Sequence, residues 1–199
     1  MRVRGARIGV FGGTFDPPHI GHLSVAVEVR HAVELDRVLM VVANDPWQKR
    51  GARILTPAAD RFEMVRAAVE GLEGVEADDR EIRRGGPSYT VDTLEEILTE
   101  VPEADLFVVM GGDAAAGVTT WERADELAGL ASVVVVHRPG FGVPEGPPGF
   151  RWNEVQVPAL DVSSSDIRAR VASGKPIDVL VPAPAATWID RHRIYSRAG

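Results

Sequence analysis

Apolar residues come in short unbroken runs at positions 8–11, 38–42 and 106–110, in a Val-rich run at 132–136, and in a shorter one at 155–157. Runs of this length without polar alternation mark strands covered on both faces. Between them the apolar spacing changes to three and four, which predicts helices over about 21–34, 57–71, 90–98, 122–130, 163–172 and 184–193. In the second of these Thr56 is the expected N-cap, and Pro57 takes the first helical position, where its missing N–H costs nothing. Phe62, Val65, Ala68 and Val69 then share one face, and Gly71 ends the helix. Residues 75–83 read as extended. Such alternation predicts an α/β protein with a doubly wound, mostly parallel sheet and helices on both faces. Ligands of these sheets collect beyond the C-terminal strand ends, where strand order reverses.

Composition narrows the picture. A chain of 199 residues suits a single domain, 1–199, because too little chain follows the Gly/Pro-rich loop at 140–149 to build a second core. The absence of cysteine excludes disulfides, thiolate metal sites and a thiolate nucleophile, and fits a cytoplasmic location. A net charge of −7 argues against nucleic-acid or anionic-membrane partners. It still permits a small anionic substrate where a few cations and helix N-termini converge. No apolar run approaches the ~18 residues of a membrane span, and the N-terminus carries no signal-peptide pattern.

The first predicted strand runs into Gly12-Gly13-Thr14-Phe15-Asp16-Pro17-Pro18-His19-Ile20-Gly21-His22. This is neither the dinucleotide fingerprint nor a P-loop. It offers two glycines for close backbone approach and two histidines three residues apart, which project to one side at a helix start. Imidazole donors aimed at phosphate oxygens are what phosphoryl transfer needs, with no protein nucleophile. Packing or capping would explain one histidine; two flanking a glycine at a strand end point to function. A zinc site of Asp16, His19 and His22 is the competing reading.

A second anion site is expected at Val162-Ser163-Ser164-Ser165-Asp166-Ile167-Arg168, where hydroxyls, helix-start N–H groups and a guanidinium fork coincide. An ordinary serine cap beside a solvated arginine is the alternative for this segment taken alone.

Residues 12–22 resemble the signature of the nucleotidyltransferase superfamily with the H-x-G-H motif, and residues 162–168 resemble its I-S-S-T-x-I-R element. Ser88-Tyr89-Thr90-Val91-Asp92-Thr93-Leu94 and Gly111-Gly112-Asp113 followed by Trp121 are similar to the bacterial nicotinate-nucleotide adenylyltransferase family. The resemblance implies a Rossmann-like fold and transfer of AMP from ATP to nicotinate mononucleotide, giving deamido-NAD and pyrophosphate. It implies that His19, His22 and Arg168 are catalytic and that Gly12, Gly13, Thr14 and Phe15 approach ATP. Ser164, Ser165 and Arg168 would hold its β- and γ-phosphates. Mg²⁺ would be carried mainly by ATP, with no protein metal site. For the acceptor, the resemblance assigns Trp121 to stack on the nicotinate ring, Thr90 to its carboxylate, Asp113 to a ribose diol and Lys49 to phosphate. Each has a plainer alternative: a core anchor for Trp121, a helix cap for Asp113 and a solvated loop charge for Lys49.

Departures from the family pattern are small. Val162 and Ser165 stand where Ile and Thr are usual, and Gly112 stands in a segment often written G-A-D, which predicts a looser turn. Competing functions are a phosphopantetheine adenylyltransferase, a nucleotide sensor without catalysis and a metal-dependent hydrolase. Oligomeric state and the choice between nicotinate and nicotinamide are left open by the residues alone.

Overall fold

Strands β1 (Arg7–Gly13), β2 (Arg37–Val42), β3 (Val75–Asp78), β4 (Asp105–Gly111), β5 (Ala131–His137) and β6 (Arg151–Gln156) form one sheet. It is parallel throughout, in the order β3-β2-β1-β4-β5-β6. The computed structural model describes residues 5–46, 55–140 and 142–196. Helices α1 (Ile20–Ala32), α2 (Ala58–Ala68), α3 (Arg80–Arg84), α4 (Thr90–Glu100) and α5 (Gly112–Ala116) alternate with the strands; α6 (Ala124–Leu130), α7 (Ser164–Ala172) and α8 (Ala183–Arg191) follow. This is the expected doubly wound α/β, Rossmann-like fold, with the sheet wholly rather than mostly parallel.

Strand order reverses between β1 and β4, which pair with Ile8 opposite Leu106 and Val10 opposite Val108. The crevice rule for open parallel sheets therefore selects the ends of these two strands. Consecutive buried residues along β2, β4 and β5 show why alternation is missing from their sequences. β6 differs. As an edge strand it buries only Val155 fully, so its polar residues from Arg151 onward hid it from an apolar scan. Val157, expected inside the last strand, lies just past it and donates its N–H to the His137 carbonyl at 2.9 Å.

Two local expectations fail. Residues 75–83 are not extended throughout: the Asp78 carboxylate accepts the Arg80 N–H at 2.9 Å and turns the chain into α3. Thr56 does not cap α2, because Pro57 occupies the cap position. The Thr56 carbonyl instead accepts from Arg61 Nε at 2.8 Å. Of the expected face of α2, Val65, Ala68 and the following Val69 are buried and Phe62 is only half-buried, while Arg61 and Met64 complete the buried face.

The chain groups into two compact units, Met1–Gly12 with Val25–Met40 and Tyr89–Ala159, and Gly13–Ser24 with Val41–Ser88 and Leu160–Gly199. The second unit has its own apolar cluster of Met64, Ala68, Ile167, Val181, Ala185 and Ile189, on which Leu23, Val162 and Tyr195 pack.

Candidate active site

The turn that leaves β1 is built around a glycine with a definite reason. Phe15 sits in the left-handed region, φ 47°, and folds its ring back over Gly13, where an added Cβ would fall 2.6 Å from the ring. Gly12 is different: no described atom lies within 4 Å of a Cβ built there. Nothing among the described residues requires that glycine.

From Phe15 the aromatic rings continue as a column. His22 meets the Phe15 ring edge-on, with centroids 5.0 Å apart, and stacks on His19 at 3.7 Å. The main-chain N–H of His19 donates to Nδ1 of His22 at 3.2 Å. An N–H can only donate, so Nδ1 is the bare nitrogen and the neutral ring carries its proton on Nε2. Gly21 completes the arrangement. A Cβ there would come within 3.1 Å of both the His19 ring and Val162 Cγ1.

The segment at α7 meets this turn directly. Arg168 Nη1 donates to the Asp16 carbonyl at 2.7 Å, and Ser164 Oγ donates to the Pro17 carbonyl at 2.8 Å. Arg168 Nη2 also donates to Ser165 Oγ at 3.0 Å. Of the three serines, Ser163 is an ordinary cap, accepting the Asp166 N–H at 3.1 Å. The N–H groups of Ser164 and Ser165, the first two of α7, have no partner among the described residues. Such groups at a helix start are ready anion donors. The Ser164 hydroxyl proton, in contrast, is already committed to Pro17.

Asp16 is buried at 1% exposure, and its carboxylate accepts the Tyr195 hydroxyl at 2.5 Å and the Thr56 N–H at 3.4 Å. Burial first, then the charge of Asp16, pushes the Tyr195 hydroxyl well above the ordinary tyrosine value. Arg61, fully buried on α2, donates to the carbonyls of Thr56 and Thr14 at 2.8 Å each and of Asn44 at 3.3 Å. One guanidinium thus ties the glycine turn to the loop after β2. That loop is joined in turn to the start of the 88–94 motif, where the Asp45 N–H donates to Ser88 Oγ at 3.3 Å.

Sequence reasoning missed Arg61 and Tyr195. The available signal for Arg61 was its place in the 61-64-65-68 spacing, an arginine in an apolar stripe. Nothing local marks Tyr195, which lies 179 residues from Asp16.

The structure gathers Gly13, Thr14, Phe15, His19, His22, Ser164, Ser165 and Arg168 in one unit. Gly12, Thr90, Asp113 and Trp121 belong to the other. There Thr90 opens α4, and half-buried Trp121 follows a 3-10 turn at Val118–Thr120. Arg123 bonds Asp92 at 3.1 Å, Glu126 at 2.5 Å and also Glu95, tying Trp121's segment to α4. Those bonds, to Glu126 and then Glu95, hold its guanidinium far above the usual arginine range. Asp113 is exposed in the first turn of α5, where Gly111 rather than Asp113 is the cap. Lys49 lies outside the described residues.

A family model described as cytidylyltransferase-like matches residues 10–170. Two relatives carry the name "Probable nicotinate-nucleotide adenylyltransferase". One, from Corynebacterium kroppenstedtii, is 42% identical over 196 residues, 97% of this chain and 92% of the relative. The other, from Streptomyces coelicolor, is 43% identical over 185 residues, 92% and 98% of the two chains. Among solved structures, the nicotinic acid mononucleotide adenylyltransferase of Plasmodium falciparum complexed with NaAD has the same fold, with a TM-score of 0.77 at 18% identity. That match covers 96% of this chain and 97% of that one. With glycine turn, stacked histidines and α7 in place, the chain belongs to the cytidylyltransferase-like family and, within it, to the nicotinate-nucleotide adenylyltransferases.

Proposed function

We propose that the Gly13–His22 turn and the start of α7 together grip the triphosphate of ATP, and that the chain transfers AMP from it to nicotinate mononucleotide. The observation that carries this reading is the 2.7 Å bond from Arg168 to the Asp16 carbonyl, which brings the late cation to the histidine turn. Around that bond the donors are of one kind: Nε2–H of His22, two helix-start N–H groups and a guanidinium, all suited to phosphate oxygens.

In the reaction a phosphate oxygen of nicotinate mononucleotide attacks the α-phosphorus of ATP in line. The new P–O bond forms as the bond from that phosphorus to the α–β bridging oxygen breaks, and pyrophosphate leaves with the electron pair. The attacking phosphate is already an anion, so no general base is needed. His22 and His19 stabilise charge on the transferring group, while Arg168 and the α7 N–H groups take the β- and γ-phosphates. Ser165 steadies Arg168 through its hydroxyl. Ser164 contributes through its N–H, since its hydroxyl holds Pro17.

Mg²⁺ enters on the triphosphate as part of the substrate. The donors at the turn are anion-holding, and no group of three His, Asp or Glu suited to a metal occurs among the described residues. On the acceptor side Trp121 supplies a flat face for the pyridine ring, Thr90 a donor for its carboxylate, Asp113 an acceptor for ribose hydroxyls and Lys49 a phosphate contact. No helix among the described residues is long and apolar enough to cross a membrane, which suits work on cytoplasmic nucleotides.

The deciding experiment offers MgATP with nicotinate mononucleotide, nicotinamide mononucleotide or phosphopantetheine, and measures pyrophosphate release. Turnover is expected with nicotinate mononucleotide; turnover with phosphopantetheine alone would end the reading.

A further inference from the structure

We infer that Val162, the residue before the α7 cap, is a positioning residue for adenylyl transfer: its side chain walls one side of the histidine turn and sets where the start of α7 sits against it. The inference rests on the proposed role of the histidine turn and α7 as the phosphate grip.

The contact runs through Gly21. A Cβ built on Gly21 would lie 3.1 Å from Cε1 and Nδ1 of His19 and 3.1 Å from Val162 Cγ1. The imidazole and the valine methyl therefore border the same side of one bare Cα, and together they leave less room than a methyl group ordinarily takes. His19 is buried, and its ring is the last of the column that begins at Phe15 and passes through His22. Val162 lies across Gly21 from that last ring.

Val162 is tied to α7 as closely as to the histidines. It precedes Ser163, whose side chain caps the helix, and the two N–H groups proposed to take phosphate follow at once. With Leu23 of α1 it packs on the apolar cluster of Met64, Ile167, Ala185 and Ile189. Two polar bonds join the same elements, from Ser164 Oγ to the Pro17 carbonyl and from Arg168 to the Asp16 carbonyl. Both end on main-chain atoms ahead of His19, whereas Val162 reaches Gly21 and the imidazole beside it. Removing its methyl groups opens space into which the ring or the helix start can shift. A displacement of about 1 Å among groups that hold a reacting centre costs as much as 10²-fold in rate. Threonine keeps the branched shape and exchanges one methyl for a hydroxyl, so it preserves the wall while weakening the apolar packing.

The test uses the full chain, MgATP and nicotinate mononucleotide. V162A should lower kcat roughly 5- to 30-fold, with KM for both substrates within about threefold of wild type. V162T, and I189V, which trims the same apolar cluster away from Gly21, should both melt lower yet keep kcat within about threefold. In nuclear magnetic resonance spectra the imidazole C–H signals of His19 should move in V162A and stay near their wild-type positions in I189V. The inference is overturned if V162A loses less than about fivefold in kcat, if V162T or I189V loses more than about threefold, or if the His19 signals of V162A do not move. Should V162A fail to fold, V162L takes its place under the same limits, since leucine keeps the apolar bulk but carries its branch one carbon further out. A wild-type chain without transfer to nicotinate mononucleotide would instead sink the proposed function, while the His19 signals would still report whether Val162 holds the ring.

Discussion

The main-chain N–H of His19 donates to Nδ1 of His22, and the two rings stack at 3.7 Å. That contact decides which nitrogen of the neutral His22 ring carries the proton: Nε2. A donor aimed at charge that develops only in the transition state is worth far more to kcat than to ground-state binding. H22A is therefore expected to lower kcat by roughly 10²- to 10³-fold and to weaken ATP binding by less than about tenfold. Single-turnover kinetics and calorimetry of ATP binding separate the two quantities. An equal loss in both would make His22 a simple binding group.

Gly12 and Gly13 adjoin in sequence but answer to different causes. A Cβ at Gly13 would strike the Phe15 ring at 2.6 Å, so G13A should destabilise the fold by about 1–3 kcal/mol. A Cβ at Gly12 meets no described atom within 4 Å, so G12A should leave the melting temperature close to wild type and weaken ATP binding. Thermal melts and ATP titrations of both variants show whether the open space at Gly12 belongs to the ligand.

Arg61 holds three carbonyls from three parts of one unit. R61M fills much of the same volume and leaves those acceptors without their donor, at a cost of about 3 kcal/mol or more. R61K keeps the charge but cannot reproduce the fork, and should recover only part of the loss. Urea midpoints of the three proteins give the comparison.

Gly112 departs from the family pattern without need. Among the described residues a Cβ there would touch only Pro144 Cδ, at an ordinary 3.9 Å. G112A is expected to raise stability by about 0.5 kcal/mol through the unfolded chain, read as a higher urea midpoint with unchanged fold. A drop in the midpoint would mean that α5 needs glycine at its start.

Tyr195 gives the fold an alkaline limit. Burial, and then the charge of Asp16, raise its hydroxyl above the unfolded value of about 10. Below about pH 10 both states keep the proton and the stabilisation is complete. As pH climbs past that value the unfolded chain ionises first, and native stability falls. Urea midpoints between about pH 8 and 11 should therefore drop more steeply for wild type than for Y195F. Parallel curves would show that the hydroxyl ionises as easily in the fold as outside it.

The parts of the site that could be read in advance are those where chemistry is contiguous. His19, Gly21 and His22 fall within four residues at the start of α1, and Ser163 to Arg168 within six at the start of α7, so local geometry already points their groups together. Arg61 was obscured because the buried face of α2 is set by what it packs on; the apolar residues alone pointed to Phe62, Val65, Ala68 and Val69 and gave no place to an arginine. The end of the 75–83 segment escaped for a related reason. Asp78 captures the Arg80 N–H and begins a helix that strand-like composition does not announce.

By itself the chain's order of residues determined the strand and helix alternation, the parallel sheet and the two candidate segments at 12–22 and 162–168, because short-range periodicity and capping follow from neighbours a few positions apart. Tertiary structure alone decided that Tyr195 meets Asp16 across 179 residues, that Arg61 ties the glycine turn to the loop after β2 and that the Ser164 hydroxyl serves Pro17 rather than a ligand. A hydrogen bond depends on atoms meeting within about 3 Å in space. Separation along the chain says nothing about that until the sheet and its helices have closed.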